Sequence, residues 1–294
     1  MDSNKVLFLG SYPPPFGGIA SHLSDMQEVT KRKNRSFFVF DPVKVNLHKS
    51  EGMVFLRSPK RWWSAIISPS YLYYIVRHLR PFLSVWFSAR KFSRSGKFGR
   101  FFTLRTIVTL IDLIETCDEF EINTISAYHT FPDALYPYLI KLYFKPALKY
   151  AVTVFGELQA NTIQIERFGG EYKTILQAAD LLMASSQYCA RGVEHIGLSE
   201  KNVIVVPYGI DLEHFRRTVD YDKGRGEQSI LFVGHINERM GLECLLNAVS
   251  ELRETRKQRV LAHIVGNDHG YLTTFKKLIS EKKLEDCVAL HFNV

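Results

Sequence analysis

Long apolar runs are absent from this sequence of 294 residues. The longest uncharged stretch, residues 62–76, contains Pro69 and is shorter than the roughly 20 apolar residues that a membrane-spanning helix needs. The first apolar run, residues 6–9, is too short for the core of a secretory signal. These absences predict a cytoplasmic protein without a membrane span.

Cysteine is also scarce. The chain has four cysteines, Cys117, Cys189, Cys244 and Cys287, and none of them is spaced as in a metal or redox motif. The sequence therefore gives no sign of a disulfide framework or a metal site. Buried, reduced thiols are expected.

Acidic residues are missing between Glu51 and Asp112. The same stretch carries 11 arginines and lysines, whereas the whole chain has a formal net charge of +8, so the remainder of the chain is net negative. Positive charge confined to one segment indicates a local anionic partner rather than a general nucleic-acid coat. RNA binding is the weaker alternative, because no recognised nucleic-acid motif accompanies the charge. We therefore expect that the protein does not bind nucleic acid.

Apolar and aromatic side chains lie between these basic residues in segment 57–105. Five apolar residues recur near helical spacing: Leu72, Ile75, Val76, Leu79 and Leu83. Such a face, flanked by arginines, is typical of a helix lying in a membrane interface, where tryptophan is also favoured. The residues expected to contact an anionic membrane surface are Trp62, Trp63, Arg77, Arg80 and Trp86. The alternative is a core helix with a solvated basic face.

Short apolar runs alternate with amphipathic stretches along the chain, which predicts an α/β protein with parallel sheets. Strands are expected at residues 5–10 and 150–155, and helices at residues 171–179 and 132–144, the latter with Pro132 in its first turn. Residues 216–228 are polar and predict a linker between an N-terminal domain, 1–215, and a second domain, 229–294. The second domain has too few strands for an ordinary doubly wound sheet.

Two places combine a strand end with residues suited to ligand binding. Gly17 and Gly18 follow the first strand and precede a helix, where free backbone N–H groups favour an anion; a tight turn without a ligand is the alternative. His129 follows the strand predicted at residues 122–127, and the carboxyl edge of an open α/β sheet is where ligands bind. An incidental histidine is the alternative there.

Several segments, taken in order, resemble the family 4 glycosyltransferases. They are PPPFGGIASH at residues 13–22, VIVVPYGIDLEHF at residues 203–215, ILFVGHINERMGLECLLNAV at residues 230–249 and HIVGN at residues 263–267. The resemblance implies the GT-B fold, with two Rossmann-like domains of which the second is incomplete. It also implies a hinge containing Pro207, Gly209 and Asp211. A structural interdomain turn is the favoured interpretation for all three, and the alternative for Asp211 is a cap of the turn running to Phe215.

The resemblance implies transfer of a sugar from a UDP- or GDP-sugar to a lipid-linked or polysaccharide acceptor in cell-envelope or exopolysaccharide synthesis. Retention of anomeric configuration and no requirement for a metal or other cofactor are implied as well. In this interpretation His129 is catalytic and faces the reacting sugar. The donor- or acceptor-binding residues are Gly17, Gly18, Gly156, Glu157, Gly234, His235 and Arg239.

The sequence departs from the family pattern at identifiable positions. Phe155 stands where a histidine often precedes the glycine, His235 replaces an arginine, and Met240 replaces a lysine. Arg239 is one place early and is expected either to replace that lysine or to be a solvated helix-start residue. Two glutamates, eight positions apart, would follow Val294 in the family. We therefore expect a C-terminally truncated chain of poor activity, or a non-catalytic relative that binds a membrane or a partner.

Overall fold

The computed structural model describes residues 5–13, 17–45, 47–60, 67–93, 102–160, 162–213, 215–216, 228–256 and 260–292. The chain divides into two compact units, Met1–Phe215 and Arg216–Val294. Trp62 and Trp63 lie outside the described residues.

Unit 1 contains an eight-stranded sheet in the order β3-β4-β2-β1-β5-β6-β7-β8. Its strands are β1 Val6–Leu9, β2 Phe37–Phe40, β3 His48–Glu51, β4 Val54–Arg57, β5 Thr124–Tyr128, β6 Lys149–Val154, β7 Leu181–Ala184 and β8 Val203–Val205. All neighbouring strands are parallel except β3 and β4. Short apolar strands of this kind are typical of a parallel sheet buried on both faces, and β2 is buried throughout.

The described helices of unit 1 are α1 Gly18–Arg32, α2 Pro69–Arg77, α3 Leu79–Ser93, α4 Phe102–Glu119, α5 Leu135–Tyr143, α6 Glu157–Ala160, α7 Thr162–Gln177 and α8 Gln187–His195. Helix α8 begins where the Ser186 hydroxyl accepts a hydrogen bond from the Cys189 N–H. It ends before Gly197, which has a φ of +80°, as predicted for a glycine that closes a helix.

Helix α4 is buried on nearly every side. Its Asp112 carboxylate accepts a hydrogen bond from the Tyr71 hydroxyl of α2 and one of 2.8 Å from the Lys60 N–H. Phe82, Val85 and Ala89 of α3 are buried against the same core. Helices α2 and α3 therefore form an extra layer outside α4, and this layer contains most of the described basic aromatic segment.

Two predicted elements were wrong in their boundaries. Helix α5 begins at Leu135 rather than at Pro132, because residues 131–134 form turns in which the Leu135 N–H bonds the Pro132 carbonyl and the Ala134 N–H bonds the His129 carbonyl. Helix α7 begins at Thr162, well before residue 171, and continues through Gly169 and Gly170. Glycine costs about 1 kcal/mol in a helix, but the α7 side chains buried in the core outweigh that cost.

Unit 2 contains a three-stranded parallel sheet in the order β11-β10-β9. Its elements are β9 Gln228–Val233, a 3-10 turn at Glu238–Met240, α9 Leu242–Arg256, β10 Val260–Val265, α10 Leu272–Glu281 and β11 Val288–His291. The helices cover the sheet face that carries Ala262 and Ile264, whereas Leu231 and Val233 on the other face are exposed. Across the described parts of both units, every helix is too short or too polar to cross a membrane.

Candidate functional site

The carboxyl edge of the unit 1 sheet gathers polar residues from three strands. Asp41 follows β2, His129 follows β5, and Gly156 and Glu157 follow β6. Since β2, β5 and β6 run parallel, with β1 between β2 and β5, these residues lie along one edge of the sheet. This is the edge at which ligands bind in open α/β sheets.

His129 has an unusual backbone. Its φ is +84°, a region that residues other than glycine enter at a cost of about 1–3 kcal/mol. Its N–H bonds the Thr153 carbonyl at 3.1 Å, so β6 holds the strained residue in place. The side chain remains 40% exposed. Strain held by surrounding structure and combined with exposure is typical of a functional position.

The Glu157 carboxylate is fixed by backbone and hydroxyl donors. Its Oε1 accepts hydrogen bonds of 3.1 Å from both the N–H and the hydroxyl of Thr130, and its Oε2 accepts one of 2.7 Å from the Phe155 N–H. The Nδ1 atom of His129 lies 3.8 Å from Oε2. Burial opposes ionisation of Glu157, but His129 and the backbone N–H groups of Glu157 itself and of Thr130 outweigh burial, so the pKa of Glu157 is lowered.

Asp133 is a third acidic residue near this edge, and it is fully buried near His129. Burial raises its pKa to about 8; nearby Asp41 and Glu157 act in the same direction and His129 against it. Asp133 therefore retains its proton at neutral pH. Asp41 accepts hydrogen bonds from the N–H groups of Tyr12 and Val43 at 2.9 Å each.

An aromatic cluster borders the same edge. The Tyr208 ring stacks on His22 of α1 at 3.9 Å, and it lies 5.8 Å from Phe155, which in turn lies 5.0 Å from His129. The buried Tyr208 hydroxyl has no hydrogen-bond partner in the described part of the chain. Burial lowers the pKa of His22, so this ring is neutral at pH 7. A cleft of about 450 Å³ opens beside His22, between α1 and residues 209–213.

The predicted glycines of unit 1 are not required by packing. A Cβ atom at Gly17, Gly18 or Gly156 would meet nothing within 4 Å. Gly17 precedes the first turn of α1, which carries no acidic side chain and no side-chain cap. The first N–H groups of α1 are therefore left accessible to an anion. Asp211 caps its own turn, as predicted, because the N–H of Glu213 bonds its Oδ1 at 2.9 Å.

In unit 2, the loop after β9 lies against the loop after β10. The Gly234 N–H bonds the Val265 carbonyl at 3.0 Å, and the Ile236 N–H bonds the Asn267 carbonyl at 2.9 Å. The exposed rings of His235 and His269 lie 3.9 Å apart at this edge. The structure thus brings a second imidazole, which the sequence interpretation had not singled out, beside the predicted donor residue His235.

Arg239 lies in the 3-10 turn before α9, and its side chain is exposed together with that of Met240. The turn ends at Gly241, whose φ of +71° is readily adopted only by glycine. The exposure of Arg239 is compatible with both expectations, a ligand-binding residue and a solvated residue at the start of the helix. Among the described residues, no group of three or more His, Cys, Asp or Glu side chains is arranged to hold a metal ion.

The predicted membrane face is exposed over most of its length. Val76 is 70% and Phe87 65% exposed, and Leu72, Leu79 and Leu83 are exposed with them, while Ile75 is half-buried. Arg77, Arg80 and Trp86 are exposed on the same two helices. The opposite side of α2 and α3, which carries Tyr71, is the buried one.

Comparisons with known proteins place this geometry in a known fold. Neither a protein-family model nor a curated protein matches the chain. Solved structures do. The lipopolysaccharide outer core galactosyltransferase WaaB, in its apo form, is 13% identical with a TM-score of 0.57, the match covering 98% of this chain and 67% of that one. The sucrose-phosphate synthase from Thermosynechococcus elongatus is 14% identical with a TM-score of 0.65, covering 99% and 71%.

A third solved structure is Anabaena HepE in complex with UDP and glucose. It is 12% identical with a TM-score of 0.62, and the match covers 98% of this chain and 69% of that one. At such identities a likeness establishes architecture only. The α/β class and the fold implied by the resemblance are confirmed: the chain has the GT-B fold of these glycosyltransferases.

Proposed function

We propose that this protein is a glycosyltransferase that moves a sugar from a UDP- or GDP-sugar to a lipid-linked or polysaccharide acceptor. The observation that carries the proposal is the strained, partly exposed His129 at the carboxyl edge of the unit 1 sheet. The fold supports it, since a similar solved structure, HepE, is described in complex with UDP and glucose. Retention of configuration and independence from metal are part of the proposal.

The residues of unit 1 are suited to bind a sugar. The exposed His129 can donate a hydrogen bond to a sugar hydroxyl when protonated and accept one through a bare ring nitrogen when neutral. The aromatic ring of Phe155 next to it offers an apolar face, and the cleft beside His22 offers space for further sugar units. Acceptor selection is therefore assigned to unit 1.

The residues of unit 2 are suited to meet a diphosphate. Bond cleavage leaves negative charge on the departing nucleoside diphosphate, and cations or N–H groups that stabilise this charge accelerate the reaction. Exposed groups suited to stabilise this charge at the carboxyl edge of the unit 2 sheet are Arg239 and the neighbouring pair His235 and His269. The direct test is release of UDP or GDP from a panel of sugar nucleotides by the complete gene product. No binding and no turnover of any sugar nucleotide would contradict the proposal.

Substituting His129 with alanine is expected to lower kcat/KM for sugar transfer at least about tenfold, since a positioned histidine commonly contributes 10² or more. The measurement is nucleotide release with the complete gene product. His195→Ala is the matched control, because His195 is exposed at the end of α8, and it should retain wild-type activity. Equal activity of His129→Ala and wild type would remove His129 from the site.

A second candidate belongs to a different class: a non-catalytic glycosyltransferase-like protein that binds a membrane or a partner. His235 and Met240 favour it, because they replace the arginine and lysine of the resembling family and both are exposed. A complete gene product that binds UDP but never releases it from a sugar donor would support this candidate over the enzyme.

We also propose that helices α2 and α3 place the protein on the inner face of the cytoplasmic membrane. Their outer face combines exposed Val76 and Phe87 with Arg77 and Arg80. Several exposed apolar side chains on two consecutive helices, together with exposed arginines, fit an anionic lipid headgroup region. Trp86 is suited to the same depth.

Wild-type protein is therefore expected to bind vesicles containing anionic phosphatidylglycerol and to bind neutral phosphatidylcholine vesicles more weakly. The double variant Val76→Glu/Phe87→Glu should lose at least about tenfold in affinity, because two exposed apolar side chains that would enter the membrane interface are replaced by charges. Flotation at moderate salt measures this. Leu142→Glu, an exposed leucine on α5, is the control and should bind as wild type does. Failure of the wild type to bind anionic vesicles would eliminate this face as a membrane contact.

A further inference from the structure

The Glu157 carboxylate is already engaged by hydrogen bonds within the protein, which binding of a substrate would not require. Both carboxylate oxygens already accept hydrogen bonds from the protein, from Thr130 and from the Phe155 N–H. The side chain is only 14% exposed. Little of it is left to meet a sugar. Its Oε2 atom instead points towards a neighbour inside the protein, the His129 Nδ1 atom 3.8 Å away.

The His129 ring has two distinct nitrogens, and Glu157 distinguishes between them. A carboxylate near Nδ1 favours a proton on that nitrogen, which leaves Nε2 bare in the neutral ring. Within the described residues Nε2 has no hydrogen-bond partner. The backbone φ of +84° sets the direction of the Cα–Cβ bond from which the ring extends. Glu157 therefore lies on the Nδ1 side of the ring, and the Nε2 side is left open.

We propose that Glu157 is a positioning residue for His129, holding the Nδ1 proton on its own side and leaving Nε2 free to meet a sugar hydroxyl. The inference rests on the proposed function for the identity of what Nε2 meets. It replaces the expectation that Glu157 itself binds donor or acceptor. It also gives a physical role to the pair in a chain that has Phe155 where the resembling family often has a histidine.

Titratable groups near His129 come from several neighbouring elements. Glu157 comes from α6 and Asp133 from the turn before α5. Asp41, after β2, acts on Asp133, and Glu157 acts on Tyr172 and Tyr208. Burial alone lowers the pKa of His129, but the hydrogen bond and the charge of the Glu157 carboxylate outweigh burial and raise it. Removing the Glu157 charge should therefore reverse the direction of the shift.

The test is a histidine titration by NMR on ring-labelled protein, with His129 assigned by its absence in His129→Gln. In the wild type, the pKa of His129 should lie above the ordinary value of about 6.5. In Glu157→Gln it should fall by about 1 unit or more, since a carboxylate at this distance shifts a partner by 1–3 units. Glu157→Asp, which keeps the charge, should restore part of the shift. Glu194→Gln, an exposed glutamate on α8, should change nothing.

A second measurement needs no variant. Above its pKa, wild-type His129 should show the ring nitrogen shifts of the Nδ1–H tautomer. An Nε2–H tautomer, or a pKa that is the same in Glu157→Gln and wild type, would overturn the positioning role. Neither readout depends on turnover, so an inactive protein with the expected titration would count against the proposed function alone. An active protein without that titration would count against the role of Glu157 alone.

Discussion

Replacing Asp133 with asparagine is expected to be more favourable for stability at pH 8 than at pH 5. The change that it causes in the free energy of unfolding should differ between the two pH values by an amount on the order of 2–4 kcal/mol. Asp133 is fully buried, and burial raises its pKa to about 8. In the unfolded chain the pKa of an aspartate is about 3.9. The folded state therefore binds a proton that the unfolded state releases throughout the window between these two values.

The direction of the pH dependence follows from that difference. Below about pH 3.9 both states hold the proton, and the contribution of the protonated acid to stability is fully present. As the pH rises towards 8, the unfolded state gains by releasing its proton, so the free energy of unfolding falls. Asparagine has the shape of the protonated acid and carries no titrating proton, so this fall is removed in Asp133→Asn.

Urea unfolding of unit 1 at pH 5 and pH 8 measures the effect. Asp25→Asn is the control, because Asp25 is exposed on α1, and it should show the wild-type pH dependence. An Asp133→Asn protein that loses as much stability at pH 8 as at pH 5 would mean that Asp133 is ionised in the folded state.

The rule that ligands bind at strand ends predicted the position of His129 and Glu157 from the sequence. The same rule applies to Asp41, which directly follows the run of phenylalanines in β2, but the sequence interpretation passed over it. Asp133 could not be found in this way. The sequence predicts a helix over residues 132–144, whereas the structure has turns at residues 131–134, and these bring the Asp133 carboxyl group into the interior.

The aromatic cluster had no signal in the local pattern. His22 and Tyr208 are separated by most of the chain, and they meet because α1 and the residues after β8 lie near the same edge of the sheet. In segment 69–93 the limit was different. Both sides of α2 and α3 are apolar, so periodicity alone did not decide which side was buried. Contact with α4, through Tyr71 and Asp112, decided it.

Substituting Gly266 with alanine is expected to destabilise unit 2 by about 3 kcal/mol or more. A Cβ atom at Gly266 would lie 1.8 Å from the Gly234 carbonyl oxygen. That oxygen belongs to a backbone segment held by the Gly234–Val265 and Ile236–Asn267 hydrogen bonds. The segment cannot move aside without breaking them, so the loop that carries His235 should separate from the loop that carries His269.

Gly270→Ala separates the effect of space from that of backbone conformation. Gly270 has a φ of +86°, but a Cβ atom there would meet nothing within 4 Å. Its substitution should cost only the 1–2 kcal/mol of a left-handed residue. Urea unfolding of unit 2 and hydrogen exchange of the Gly234 and Ile236 amides distinguish the two variants. Equal stability of Gly266→Ala and Gly270→Ala would show that the two loops are not in contact. If the two loops are in contact and the proposed function holds, only Gly266→Ala should abolish UDP binding, because the predicted diphosphate-binding groups depend on that contact.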